Sequence, residues 1–206
     1  MQQSVHHDGP AIDHPLIVGI DVHRLVVVSG RHQHDPVCLE KAATDSVGYE
    51  LRMMGAMARP LTDGRPGSIL VGNALLEAYL THVRCLHEFL AFHPPKANPH
   101  TVRAVDYFGE TPSTFLCLAP GLYESICQKL SHVTCARVPG HDWSGPNNDA
   151  THLAVRVFDA FAVFLNALDA AGHGDRRRWF DDDLARARVD FAAAVAGSFV
   201  FGRATS

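Results

Sequence analysis

The chain has 206 residues, 47% of them hydrophobic, which is enough for one domain with a buried core and too apolar for a mainly disordered protein. Its 18 basic and 22 acidic residues leave a formal net charge of −4, so no global positive field draws it to nucleic acid or an anionic membrane. Five cysteines form no Cys-x-x-Cys pair, and their odd number cannot close completely into intrachain disulfides; the composition suits a reducing cytoplasm.

Residues 1–15 are polar, rich in histidine and interrupted by Pro10 and Pro15, which predicts a loose tail. The run "PLIVGIDVHRLVVVSG" (15–30) is rich in β-branched residues and predicts a strand, or a hairpin turning near Asp21. Together they form an expected N-terminal extension, 1–37, partly disordered and separate from a helical domain at 38–206. No run reaches the roughly 18 apolar residues of a membrane span, and the first residues lack the basic and apolar regions of a secretory signal, so no membrane contact is expected.

From Cys38 onward the apolar spacing becomes helical. It predicts helices over about 38–58, 69–93, 119–137, 150–171 and 176–197, with a short turn near 100–108. The breaks "ARPLTDGRPG", "HPPKANP", "VPGHDWSGPNND" and "AGHGD" each contain proline or glycine, which stop helices for steric and entropic reasons. The expected fold class is therefore all-α, an antiparallel bundle of about five helices. The charge run "DRRRWFDDD" (175–183) reads as a solvated face with local ion pairs.

The helix "NALLEAYLTHVRCLHEFL" (73–90) has an unusually wide apolar face. Leu75, Tyr79, His82, Leu86 and Phe89 fall within an arc of about 80°. His82 then points inward and needs a hydrogen-bond partner, because an unpaired ring nitrogen in a core costs about 1–3 kcal/mol. Glu77, Thr81, Arg84 and Glu88 fall on the opposite face, where Arg84 and Glu88 are spaced to pair. In "GLYESICQKLSHVTCAR" (121–137), Ser125, Lys129 and His132 line one flank of the apolar stripe. A histidine on that boundary can exchange protons, and a neighbouring lysine can hold a phosphate.

The segments "NALLEAYLTHVRCLHEFL", "VRAVDYF" (102–108) and "ICQKLSHVTCAR" (126–137), followed by Trp143, resemble a group of uncharacterised bacterial helical proteins. In that group one helix carries His-x-Arg, a short segment carries a buried Asp, and a later helix carries Lys-x-x-[Ala/Ser]-His, where this chain has the one-residue-shorter Lys-Leu-Ser-His. The matching positions are His82, Arg84, Asp106, Lys129 and His132, within a similarity that covers about residues 45–165. The group is similar in turn to the HEPN superfamily, small helical bundles that often dimerise and include metal-independent ribonucleases of toxin and phage-defence systems. The chain departs from the HEPN nuclease signature, because no arginine has a histidine five to seven positions later. A second, shorter resemblance links "VGIDVHRLVVV" (18–28) to the first strand of certain DEDD-type transposases, where the residue matching Asp21 is a metal ligand. The further acidic ligands of that family have no evident strands here.

Three functions follow as expectations. The first is an HEPN-like ribonuclease or defence component without metal or cofactor, with His132 as general base and Lys129 and Arg84 stabilising the phosphorane. His82 and Asp106 then belong to the polar core, and RNA and a second copy of the chain are the implied partners. The second is a non-catalytic helical module that works by dimerisation or by binding another protein. The third is a metalloprotein using some of the 14 histidines.

Overall fold

The computed structural model describes residues 34–62, 68–91, 101–108, 115–131 and 150–201. The expected strand at 15–30 and Asp21 lie outside these residues. Among them there is no strand, and the fold class is all-α.

The first helix, α1 (36–62), starts where Asp35 accepts a hydrogen bond from the Cys38 N–H at 2.7 Å, with Pro36 supplying a helical φ in the first turn. It runs as α-helix over Pro36–Lys41, widens into a π-helical stretch at Ala42–Val47 and resumes as α-helix over Gly48–Thr62. Ser68 caps α2 (Ile69–Leu90) by accepting from the Val71 N–H at 3.3 Å. A single 3₁₀ turn at Ala104–Tyr107 and α3 (Pro120–Ser131) follow. The last two helices, α4 (Ala150–Ala170) and α5 (Gly174–Phe201), are joined by a turn in which Gly172 adopts φ 78°. The His173 N–H donates to the Leu168 carbonyl at 2.8 Å and the Gly172 N–H to the Asp169 carbonyl at 3.0 Å, a Schellman cap that requires the left-handed conformation glycine accepts.

That turn folds α5 back along α4 in antiparallel register: Phe164 meets Phe180 at 5.4 Å near the turn, and Phe158 meets Phe191 at 5.5 Å further out. The closest helix pairing is α1 on α5. These two run in the same sense, since Gly48 lies beside Asp183 and Gly55 beside the Ala187 backbone. The 175–183 charge run takes part in this packing as well as in local pairing. Arg177 pairs with Asp169 and Asp181, whereas Asp183 pairs with Arg52 of α1 and the Arg176 Nη1 donates to the Tyr107 carbonyl at 2.5 Å.

The core centres on Phe164. Around it lie Phe89 from α2, Tyr107 and Phe108 from the 3₁₀ segment, Phe115, and Phe180 from α5, at 5.4–6.1 Å between ring centroids. Several of these pairs are edge-to-face, the arrangement the ring quadrupoles favour. Tyr107 keeps its hydroxyl satisfied by donating to the Leu39 carbonyl at 2.8 Å, which ties the start of α1 to this cluster. Leu86 is 1% exposed, about one turn before the C-terminal end of α2. Leu86→Ala is expected to lower stability by about 2–5 kcal/mol in urea melts, and a loss under about 1 kcal/mol would show that α2 is not central to the core. No helix among the described residues is long and apolar enough to cross a membrane.

Candidate functional site

The polar residues of α2 are distributed between two neighbours, α1 and α3. On the α1 side, His82 is almost fully buried, and its Nδ1–H donates to the Glu50 Oε2 at 2.5 Å. Glu50 stands just after the π-helical stretch, and the preceding residue, Tyr49, sets its ring edge-on to the imidazole at 5.8 Å. The pair holds α1 against α2 and fixes the imidazole orientation.

On the α3 side, Arg84 and Glu88 lie one turn apart, with Nε 3.5 Å from Oε1. The same Oε1 accepts a hydrogen bond from the Tyr123 hydroxyl of α3 at 2.8 Å. Burial first, and then the bond to Glu88, push the Tyr123 phenol well above its ordinary pKa. Cys85, between the two sides, is raised by burial and by the Glu50 and Glu88 carboxylates, against the opposing effect of Arg84. Further along, the His87 Nδ1 is 3.2 Å from the Cys117 Sγ, the His87 ring packs on Tyr123 at 4.8 Å, and the Phe115 N–H donates to the Leu90 carbonyl at 3.2 Å. The segment 115–123 is thereby fastened to the last two turns of α2.

The five residues singled out from the sequence occupy different situations. His82 is paired with Glu50 in the interior. Asp106 is half-buried and accepts from the Arg103 N–H at 2.7 Å, closing the start of the 3₁₀ turn. Arg84 is partly exposed on the polar face of α2. Lys129 is placed on α3, the helix docked against α2, but its side chain falls outside the described residues, as does the whole of His132. Glu50, Tyr123 and the His87–Cys117 pair were not anticipated. Their partners are 30 or more residues away in the chain, and no local spacing signals them. Among the described residues no group of three or more His, Cys, Asp or Glu is arranged to hold a metal ion.

The thiols differ in a way that can be measured. Burial pushes Cys117 up to about 12, so almost none of it is thiolate at pH 8, whereas Cys38 is exposed on the first turn of α1. Peptide mapping after brief iodoacetamide treatment is expected to find Cys38 labelled and Cys117 untouched until the protein is unfolded. Early labelling of Cys117 would mean that the 115–118 segment detaches readily from α2. Comparison of the chain with family models, curated proteins and solved structures gave no match.

Proposed function

We propose that the protein is an HEPN-like helical ribonuclease of the toxin or phage-defence kind, acting in the cytoplasm without a metal ion, with its site between α2 and α3. The observation that carries the reading is the Tyr123–Glu88 hydrogen bond, which docks the helix bearing Lys129 and leading to His132 onto the residue that pairs with Arg84. The four described cysteines are free thiols, which suits a reducing compartment. In the reaction the RNA 2′-oxygen attacks the adjacent phosphorus while His132 takes the hydroxyl proton. Lys129 and Arg84 stabilise the phosphorane, and the departing 5′-oxygen takes a proton from solvent water, giving a 2′,3′-cyclic phosphate and a 5′-hydroxyl, after which His132 returns its proton to solvent.

The test is cleavage of single-stranded RNA in the presence of EDTA. Wild type is expected to cleave, and His132→Ala is expected to be slower by about 10²–10⁴, the usual contribution of a positioned acid or base. Equal rates in the two, or no cleavage by either, would overturn the nuclease reading. A second reading is a non-catalytic module that binds a second copy or another protein, and one observation favours it: Arg84 already has a carboxylate neighbour, on a chain with no net positive charge. That reading gains if purified protein self-associates while RNA stays intact.

A further inference from the structure

We propose that Glu88 is a built-in stand-in for a phosphate group, holding the oxyanion position on Arg84 until a phosphodiester displaces it. The identity of the ligand as RNA rests on the ribonuclease reading; the oxyanion site itself does not. A guanidinium recognises carboxylate and phosphate oxygens through the same donor geometry, so a carboxylate on Arg84 occupies the place a phosphate would take.

An arginine and a glutamate one turn apart on a helix are by themselves a weak, loose pair. Here a second helix intervenes. Tyr123 donates to the same Oε1 that faces Arg84, so the carboxylate is held in place from α3 instead of swinging into water. The contact to Arg84 is the looser of the two, 3.5 Å against 2.8 Å, and is the one that exchanges. When a phosphate takes over Arg84, Glu88 keeps its hydrogen bond to Tyr123 and is not left without a partner. The two side chains are 28% and 44% exposed, whereas the Arg84 Nε that faces Glu88 is itself buried, so the exchange begins with Glu88 turning away from Nε at the surface and does not require the core to open. The device makes Arg84 selective: a lone carboxylate or chloride gains little by displacing a tethered carboxylate, whereas a phosphodiester carried on a longer chain that also engages the neighbouring helix does.

The experiment measures binding of a fluorescein-labelled single-stranded RNA by anisotropy in EDTA, for wild type, Glu88→Gln, Arg84→Gln and the double variant, each first shown to be folded by circular dichroism. Glu88→Gln keeps the acceptor for Tyr123 and removes the charge. It is expected to tighten binding by about three- to fivefold, the weight of one exposed ion pair, and the gain is expected to vanish in the Arg84→Gln background. If wild type binds RNA and Glu88→Gln is no tighter, or the gain persists without Arg84, the stand-in is overturned while the nuclease reading stands. If no variant binds RNA, inorganic phosphate is the second probe. Phosphate raising the melting temperature of Glu88→Gln but not of the double variant would keep the oxyanion site and sink the nuclease reading, and no response to phosphate would sink both.

Discussion

Phe164→Ala is expected to lower stability by about 3–5 kcal/mol, toward the upper part of that range for large-to-small changes in a core. Phe164 is fully buried, and the rings around it come from α2, the 3₁₀ segment, Phe115 and α5. Deleting it therefore leaves a cavity bounded by separate parts of the chain, none of which can close it without dragging its own element. Urea denaturation followed by far-UV circular dichroism measures the loss, and Phe164→Leu, which retains most of the volume, is expected to cost markedly less. If both substitutions cost the same small amount, the aromatic cluster is loosely packed and not the centre of the core.

The second large effect is at Gly55, where two tendencies oppose each other. Alanine is favoured over glycine inside a helix by about 0.8–1 kcal/mol. A Cβ at Gly55, however, would lie 2.5 Å from the Ala187 carbonyl oxygen and 3.1 Å from its carbonyl carbon, and these are backbone atoms of α5 that move only if the helix moves. Overpacking of this kind costs about 1–3 kcal/mol or more, so Gly55→Ala is expected to destabilise despite the better propensity. Gly121 supplies the control, since nothing lies within 4 Å of a Cβ built there, and Gly121→Ala is expected to be neutral or slightly stabilising. A stabilised Gly55→Ala would mean that α1 and α5 sit further apart than described.

Helix positions were legible because a 3.6-residue period and proline or glycine breaks are written locally. The expected helices at 69–93 and 150–171 correspond to Ile69–Leu90 and Ala150–Ala170, and the short turn expected near 100–108 corresponds to Ala104–Tyr107. The inward direction of His82 was also visible from its position on the apolar arc. Its partner was not, because Glu50 belongs to another helix 32 residues earlier and nothing in either segment names the other. The π-helical stretch at Ala42–Val47 escaped for a related reason: an α-helical reading assumes a constant 100° step, and the wider turn is a departure from it. The charge run at 175–183 was only half readable. Arg177 finds Asp181 at helical spacing, but Asp183 finds Arg52 across the bundle. Arg84 and Glu88 could be paired by spacing alone, whereas the hydroxyl of Tyr123 on the same carboxylate depends on how α3 docks, which is a tertiary fact.

The pairing of α1 with α5 also sets a schedule for the chain as it is made. Arg52 and Asp183 are 131 residues apart, and the apolar side of α1, with Leu51, Met54 and Ala58 fully buried in the finished protein, finds its principal cover in α5. At about 5–20 residues per second on the ribosome, Asp183 of that cover arrives roughly 7–26 s after Arg52 has been added. During this interval α1 and α2 can pair with each other, but the side of α1 destined for α5 stays wet and open to chaperones, and to proteases. The α4–α5 hairpin, by contrast, brings its own partner with it. Nascent chains stalled before residue 174 are therefore the ones in which α1 should be cut, and release of the completed α5 should end that vulnerability.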